Sequence, residues 1–312
     1  TGRLSDARIL ALNSYENRVY QVGLDDQDPV IVKFYRPGRW SVEQIDEEHR
    51  FTRFLQAHEI PVVPPFDIDE SGEYPTIGSY EGFYFAIFPR QGGRAPELDN
   101  LDHLHHLGRF IGRMHAVGTG FRFEYRPRMS ASQSIDNVKF LLEAGFIPAD
   151  LEAAYRAITA EVLAAIEACR PDADGVQQIS LHGDCHGGNM LWRDDELMLL
   201  DFDDCRMAPA MQDIWMLLSG DKIQQQQWLS EVVEGYEEYR EFPRRELALI
   251  EPLRTIRMIY YSGWLAQRRE DPAFIAAFAH FGGEHWWLEH INALEQQKIL
   301  LNQPPIALNP YG

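Results

Sequence analysis

Basic residues are scarce in this chain: 29 Lys and Arg stand against 48 Asp and Glu, a formal net charge of −19 over 312 residues. That deficit argues against broad contact with nucleic acid or an anionic membrane, since both draw on phosphate-neutralising cations. It leaves room for an anionic ligand in one locally basic pocket. Cysteine is sparse too. Cys169, Cys185 and Cys205 are odd in number and lack metal-ligand spacing, which excludes a disulfide scaffold and fits a reduced, cytoplasmic setting. No run approaches eighteen uncharged apolar residues, so no transmembrane helix is expected, and TGRLSDARIL carries no signal-peptide core. Internal repeats are missing, and QQQQ at 224–227 is short enough to be a solvated helix face. What is present is 45 % hydrophobic and 25 % charged residues, enough for a real core in one large domain or two smaller ones.

Patterning divides the chain into a small strand-rich part, 1–90, and a large helical part, 91–312. RVYQV (18–22) and PVIVKFYR (29–36) are β-rich runs around the turn-like LDDQD. Ser41 reads as the N-cap of a helix reaching about residue 57, with Ile45, Phe51, Phe54 and Leu55 as its apolar stripe. A second hairpin ends in GFYFAIFP (82–89), apolar on both faces as an interior strand is. Helical segments follow at about 100–117, 135–144 and 149–169, then a strand-loop-strand region at 178–202, then mostly helix to residue 300. Pro252 marks a helix start or kink, and the tail QPPIALNPYG reads as extended.

The sharpest local signal is ISLHGDCHGGNMLWRDDELMLLDFDD, residues 179–204. Asp184 precedes Asn189 by five positions, and Asp201 follows a short hairpin. Asp184 can accept a proton from a hydroxyl nucleophile. Asn189 and Asp201 offer hard oxygen ligands of the kind Mg²⁺ prefers. This ordered spacing matches the protein-kinase catalytic arrangement, with His182-Gly183-Asp184 where HRD stands and Asp201-Phe202-Asp203 where DFG stands. The replacements point to the aminoglycoside phosphotransferase and choline-kinase-like branch. The expected fold is therefore α+β and bilobal, a small antiparallel sheet followed by a large helical lobe.

A kinase site makes demands on the strand-rich part. It needs a strand Lys for the phosphates and a helical acid to hold it. Lys33 in VIVKFYR meets the first demand, and Glu48 is the preferred partner, with Glu47 next and Glu43 read as a first-turn dipole partner. The phosphate-covering loop belongs between the first two strands, at LNSYENRVY (12–20). No GxGxxG occurs there, so backbone N–H groups from Asn13 to Asn17 and the Ser14 hydroxyl either cradle a phosphate or form a polar turn. IFPRQGG (87–93) holds the place of the hinge that receives adenine.

Beyond the catalytic loop, LNSYENRVYQV, IVKFYRPGRWSVEQIDEEH, GFYFAIFP, LHGDCHGGNMLWRD, QDIWMLLSGDK and IEPLRTIRMIYYSGWLAQR together resemble the bacterial stress response kinase A family. The resemblance covers nearly the whole chain from about residue 8. It implies the phosphotransferase-like kinase fold and a cytoplasmic Ser/Thr protein kinase that uses ATP and Mg²⁺. Carried over by motif, Asp184 is the catalytic base, Asn189 and Asp201 hold Mg²⁺, Lys33 engages the ATP phosphates, and Glu48 positions Lys33. Ser14 becomes a phosphate contact or autophosphorylation site. Two departures stand out: DFDD replaces the family's DLDD, and Cys205 occupies a place where a small residue is expected.

Asp213 in MQDIW reads as a brace for the catalytic loop rather than a reacting group, and His186 as a partner within that loop. Cys185 and Cys205 flank catalytic carboxylates, and packing is favoured there over a redox role. The acceptor is expected to be a protein Ser or Thr, the chain itself included, and the chain is expected to be a monomer. The competing readings are a small-molecule kinase with the same transfer chemistry and a nucleotide-binding module without turnover.

Overall fold

The computed structural model describes residues 4–12, 14, 16–130, 132–169, 175–194 and 196–308. They form two compact units. One comprises the described residues up to Arg128 and those within Gln178–Phe242, and the other comprises the described residues within Met129–Gln177 and from Pro243 to 308.

The first unit opens on an antiparallel sheet of β1 (Ser5–Leu12), β2 (Arg18–Leu24), β3 (Gln27–Phe34), β4 (Gly78–Tyr80) and β5 (Phe83–Pro89), in the order β1-β2-β3-β5-β4. β5 lies between β3 and β4, which accounts for its run of apolar residues on both faces. Glu81 (φ 47°) and Gly82 (φ 81°) close the β4–β5 hairpin with two left-handed residues, the turn that matches the natural strand twist. β3 ends at Phe34, two residues before the expected end of the strand, because Arg36–Arg39 form a turn instead.

Helix α1 (Val42–Ala57) begins at Ser41 with a capping box: Gln44 N–H donates to Ser41 Oγ, and Ser41 N–H donates to the Gln44 side chain. Its Ile45 packs with Tyr35 and Ala86 under the sheet. Its Phe51 gathers Phe121, Phe123 and Phe202 at ring distances of 5.1, 5.1 and 5.9 Å.

Helix α2 (Leu101–Gly118) crosses a later helix, Lys222–Glu237, at glycines on both partners. A Cβ on Gly108 would sit 2.1 Å from Val232 O, and one on Gly235 would sit 2.1 Å from His105 O. The two backbones therefore approach as closely as glycine permits. β6 (Ile179–Leu181) pairs with β9 (Arg206–Ala208), while β7 (Met190–Arg193) and β8 (Glu196–Leu199) form a separate hairpin. Beyond residue 202 the chain is mostly helix, as expected, with the short β9 as an addition: it returns along β6 before α5 (Met211–Ile214) and α6 (Lys222–Glu237). Within QQQQ, Gln225 is buried and donates to Gly220 O, so that stretch is not uniformly solvated.

The second unit is helical, built from α3 (Ser132–Glu143), α4 (Glu152–Ala168), α7 (Ile250–Gln267), α8 (Pro272–Ala277) and α9 (Glu284–Leu301). Leu141, Tyr155, Ile158, Val162, Ile259, Trp287 and Leu294 form its buried core. Pro252 is the third residue of α7, where its missing N–H costs no helical bond. Among the described residues, no helix is long and apolar enough to cross a membrane.

Candidate active site

The loop after β6 is shaped by one glycine and one buried acid. Gly183 has φ +85°, and a Cβ there would fall 2.2 Å from Asp204 O, so no larger residue fits. The backbone N–H groups of His182 and Gly183 donate to Asp213 Oδ2 and Oδ1 at 2.9 and 2.7 Å. Asp213 also meets His115 Nε2 at 3.2 Å. His115 Nδ1 lies 3.1 Å from Tyr236 Oη, which in turn accepts from Arg240 at 2.9 Å. The directions are mutually consistent when His115 is neutral: Arg240 donates to Tyr236, Tyr236 to His115, and His115 to Asp213. Burial lowers the His115 pKa, more than Asp213 restores it, which keeps the ring in that neutral form. Asp213 is thus a brace.

His182 fastens the same loop. Its Nε2–H donates to Leu200 O at 2.8 Å, and its Nδ1 accepts from Asp184 N–H at 3.2 Å. His186 Nδ1 accepts from Gly188 N–H at 3.0 Å, and its Nε2 lies 3.5 Å from Asp184 Oδ2. Asp184 is half-buried at the centre of this arrangement.

The β7–β8 hairpin explains the interval from Asn189 to Asp201. Met190 pairs with Leu199, and Leu200 N–H donates to Asn189 O at 2.8 Å, so residues twelve apart in sequence flank the base of one hairpin. Asn189 Nδ2 donates to Asp184 O at 3.0 Å, leaving Oδ1 as the amide atom available to a cation. The Asp201 carboxylate is 49 % exposed and springs from a left-handed backbone, φ 55°. Two hard oxygen donors at one hairpin base fit a small divalent ion such as Mg²⁺.

Lys33, by contrast, is buried. Its Nζ lies 3.3 Å from Glu48 Oε1, 3.0 Å from Asp201 Oδ1 and 3.1 Å from Asp203 Oδ1. Burial works against the ammonium, but the three carboxylates outweigh it and hold the Lys33 pKa well above its usual range. Helix phase separates the two neighbouring acids of α1. Glu48 faces Lys33, whereas Glu47 accepts backbone N–H bonds from Glu124, Tyr125 and Arg126 and so anchors the helix elsewhere. Glu43 sits half-buried in the first turn.

Ser14 is half-buried in the β1–β2 connection, while Asn13 and Tyr15 lie outside the described residues. The segment after β5 is held to the hairpin by Arg94, which exchanges two backbone hydrogen bonds with Trp192. Cys185 and Cys205 are both buried. Burial raises both thiols, Cys205 to about 12, so neither forms the thiolate a redox switch needs at neutral pH.

Two residues, Arg126 and Arg39, escaped the sequence reading, which named a third, Asp203, only as a member of the DFDD motif. Arg126, 3 % exposed, donates to Glu48 Oε2 at 2.9 Å, to Gln44 O at 2.8 Å and to Asp203 O. Arg39 pairs with Asp203 Oδ2 at 2.6 Å and Asp204 Oδ1 at 3.1 Å. Asp203 is itself 4 % exposed and saturated by cations. No local motif announces these roles, because every contact spans a large sequence interval.

The buried rings give a pH dependence with a definite sign. Burial places His49 well below the usual imidazole range, lowers His115, and brings His290 of the second unit to about 4. An unfolded His protonates near pH 6.5 while these stay neutral, so the unfolded state binds more protons and stability falls as pH drops below that value. Each ring contributes a slope of at most about 1.4 kcal/mol per pH unit, lasting for His290 down to about pH 4. Urea midpoints measured between pH 7.5 and 5 are expected to decrease steadily; a midpoint that rises toward pH 5 contradicts this account.

A model of the phosphotransferase enzyme family matches residues 8–249. Stress response kinase A of Escherichia coli K12 is 44 % identical over 306 residues, covering 98 % of this chain and 91 % of that protein. The serine/threonine protein kinase RdoA of Salmonella typhimurium is 42 % identical over 311 residues, covering 99 % and 92 %. Among solved structures, an amicoumacin kinase in complex with AMP-PNP and Ca²⁺ superposes with a TM-score of 0.69 at 22 % identity, over 93 % of this chain and 90 % of that one. A microcompartment-associated aminopropanol kinase gives 0.69 at 17 % identity, over 96 % and 92 %. Those two likenesses establish the kinase-like fold, and the sequence relatives narrow it: the chain belongs to the stress response kinase A family, within the phosphotransferase enzyme family.

Proposed function

We propose that this phosphotransferase is a Ser/Thr protein kinase of a bacterial stress response, acting in the cytoplasm as a monomer on ATP and Mg²⁺. Residues 1–90 serve as the nucleotide lobe, and 91–312 carry the catalytic loop and the acceptor site. The acceptor hydroxyl oxygen attacks the γ-phosphorus, the bond from that phosphorus to the ADP oxygen breaks, and Asp184 accepts the hydroxyl proton. Lys33, steadied by Glu48, offsets charge on the phosphates, and Ser14 contributes a hydroxyl at the nucleotide turn. Asn189 and Asp201 hold Mg²⁺, which when bound supplies further charge compensation.

The observation that carries this reading is the convergence at Lys33. Acids from positions 48 and 201 meet one strand lysine, while Asp184 and Asn189 share the loop next to Asp201's hairpin. A module that only binds nucleotide has no use for Asp184. The protein acceptor is supported by the Salmonella relative named as a serine/threonine protein kinase, and the net charge of −19 favours basic acceptors. A small-molecule acceptor is the second reading, supported by solved neighbours described as amicoumacin and aminopropanol kinases.

γ-Labelled ATP offered with histone, casein, ethanolamine, homoserine and kanamycin separates the two. Label on Ser or Thr of protein, this chain included, is the expected result. Label on an amino alcohol or aminoglycoside with unlabelled protein overturns the protein reading.

A further inference from the structure

Arg39 lies outside every catalytic motif, five residues beyond the end of β3, yet its guanidinium reaches two segments that a kinase site must keep in register. One is the turn between β1 and β2. Arg39 Nη1 stands 3.1 Å from Glu16 Oε1, and the same turn is held a second time by Arg36, whose Nε donates to Glu16 O at 3.1 Å and whose backbone N–H donates to Asn17 Oδ1 at 3.2 Å. The other is the loop that carries Asp201. Nη1 lies 2.6 Å from Asp203 Oδ2 and Nη2 3.1 Å from Asp204 Oδ1, an oxygen that Arg206 also contacts at 2.8 Å. The Arg39 side chain is 12 % exposed, so these charges meet with little screening from solvent.

The second oxygen of Asp203 faces Lys33. Of the three carboxylates around that ammonium, Asp201 is half exposed and is the one assigned to the cation, whereas Glu48 and Asp203 are buried and remain with Lys33. Asp203 holds its place because Arg39 compensates its other side. Removing one partner from such a buried network leaves a charge without compensation, and the neighbouring groups shift to find one. The rigid planar fork of Arg39 holds carboxylates on two separate segments in fixed directions, which the single-point ammonium of a lysine does not reproduce.

We propose that Arg39 is a positioning residue for the nucleotide site: through Asp203 it fixes Lys33, and through Glu16 it ties the nucleotide turn to the Asp201–Asp204 loop. The inference rests on the kinase reading above and adds to it a residue to which that reading gives no role.

The test is direct binding of Mg²⁺–AMP-PNP by calorimetry, alongside steady-state kinetics. In Arg39→Met the dissociation constant is expected to rise about tenfold, equivalent to about 1.4 kcal/mol. KM for ATP rises in parallel, kcat at saturating ATP falls much less, and KM for the acceptor stays put. Arg39→Lys falls between the two. Asp203→Asn weakens binding similarly, and the double variant is no worse than the poorer single one, as for residues acting through one contact. A purely structural role gives the opposite split, a lower kcat from fewer active molecules with the dissociation constant unchanged, and overturns the proposal. Should Arg39→Met not fold, Glu16→Gln carries the test, with a smaller rise expected and an unchanged constant overturning the tie. Wild-type protein that fails to bind Mg²⁺–AMP-PNP overturns the nucleotide reading itself. Wild-type binding with variants that bind equally well overturns only the role of Arg39.

Discussion

Asp184→Asn is expected to remove phosphoryl transfer while leaving the fold and the nucleotide complex intact. The side chain is half-buried, and its backbone carries the loop contacts: Asp184 N–H donates to His182 Nδ1 and Asp184 O accepts from Asn189 Nδ2. An isosteric amide keeps both bonds. What it loses is the ability to take a proton from the acceptor hydroxyl, a contribution of about 10²- to 10⁴-fold in rate. Calorimetric affinity for Mg²⁺–AMP-PNP should change little, and unfolding free energy should move by less than about 1 kcal/mol. Turnover at the wild-type rate in Asp184→Asn would remove the carboxylate from the chemistry.

Asp213→Asn should produce the converse pattern, a loss of stability together with a loss of rate. Asp213 is fully buried and accepts from three donors, the N–H groups of His182 and Gly183 and the Nε2–H of His115. The amide offers one oxygen in place of two and aims an NH₂ group at donors. A change of His115 tautomer would let the ring accept from the new amide, but it would turn Nδ1 into a donor and displace the Tyr236 hydroxyl proton that Nδ1 accepts. At least one buried donor loses its partner, at about 1–3 kcal/mol each. The loop carrying Asp184 loosens with it, so kcat should fall roughly ten- to a hundredfold, since small misplacements of reacting groups are costly. KM for ATP should move less, because Lys33 and Asp201 do not contact the brace. A variant with the wild-type melting temperature and kcat would show that the brace is dispensable.

The legible parts of this protein are those in which chemistry constrains spacing. Asp184, Asn189 and Asp201 stand at intervals set by one loop and one hairpin of two four-residue strands, so their order survives in the linear sequence. Ser41 and Gln44 announce α1 because a capping box is a local device. Helix phase was harder: Glu47 and Glu48 differ by about 100° around α1, and only the packed structure shows which one faces β3. Arg39, Arg126 and the burial of Asp203 were beyond reach. The ties among these residues and to Lys33, Glu48 and Asp204 span roughly 80 to 170 positions, and an ion pair across such an interval leaves no periodic trace. β9 escaped for a similar reason, being three residues long and defined only by its partner β6.

The interrupted course of the first unit matters on the ribosome. Lys33 and Glu48 emerge early, but Asp201 and Asp203 follow some 170 residues later, after the whole 129–177 insertion. At about 5–20 residues per second, roughly 10 to 35 s pass before the buried ammonium can meet its full set of carboxylates. During that time Lys33 has Glu48 alone of its three carboxylates, in a sheet whose first strand keeps Ile9 and Leu10 exposed even in the finished protein. A chain released before Asp203 is made should therefore be a substrate for chaperones and proteases rather than a free-standing nucleotide lobe.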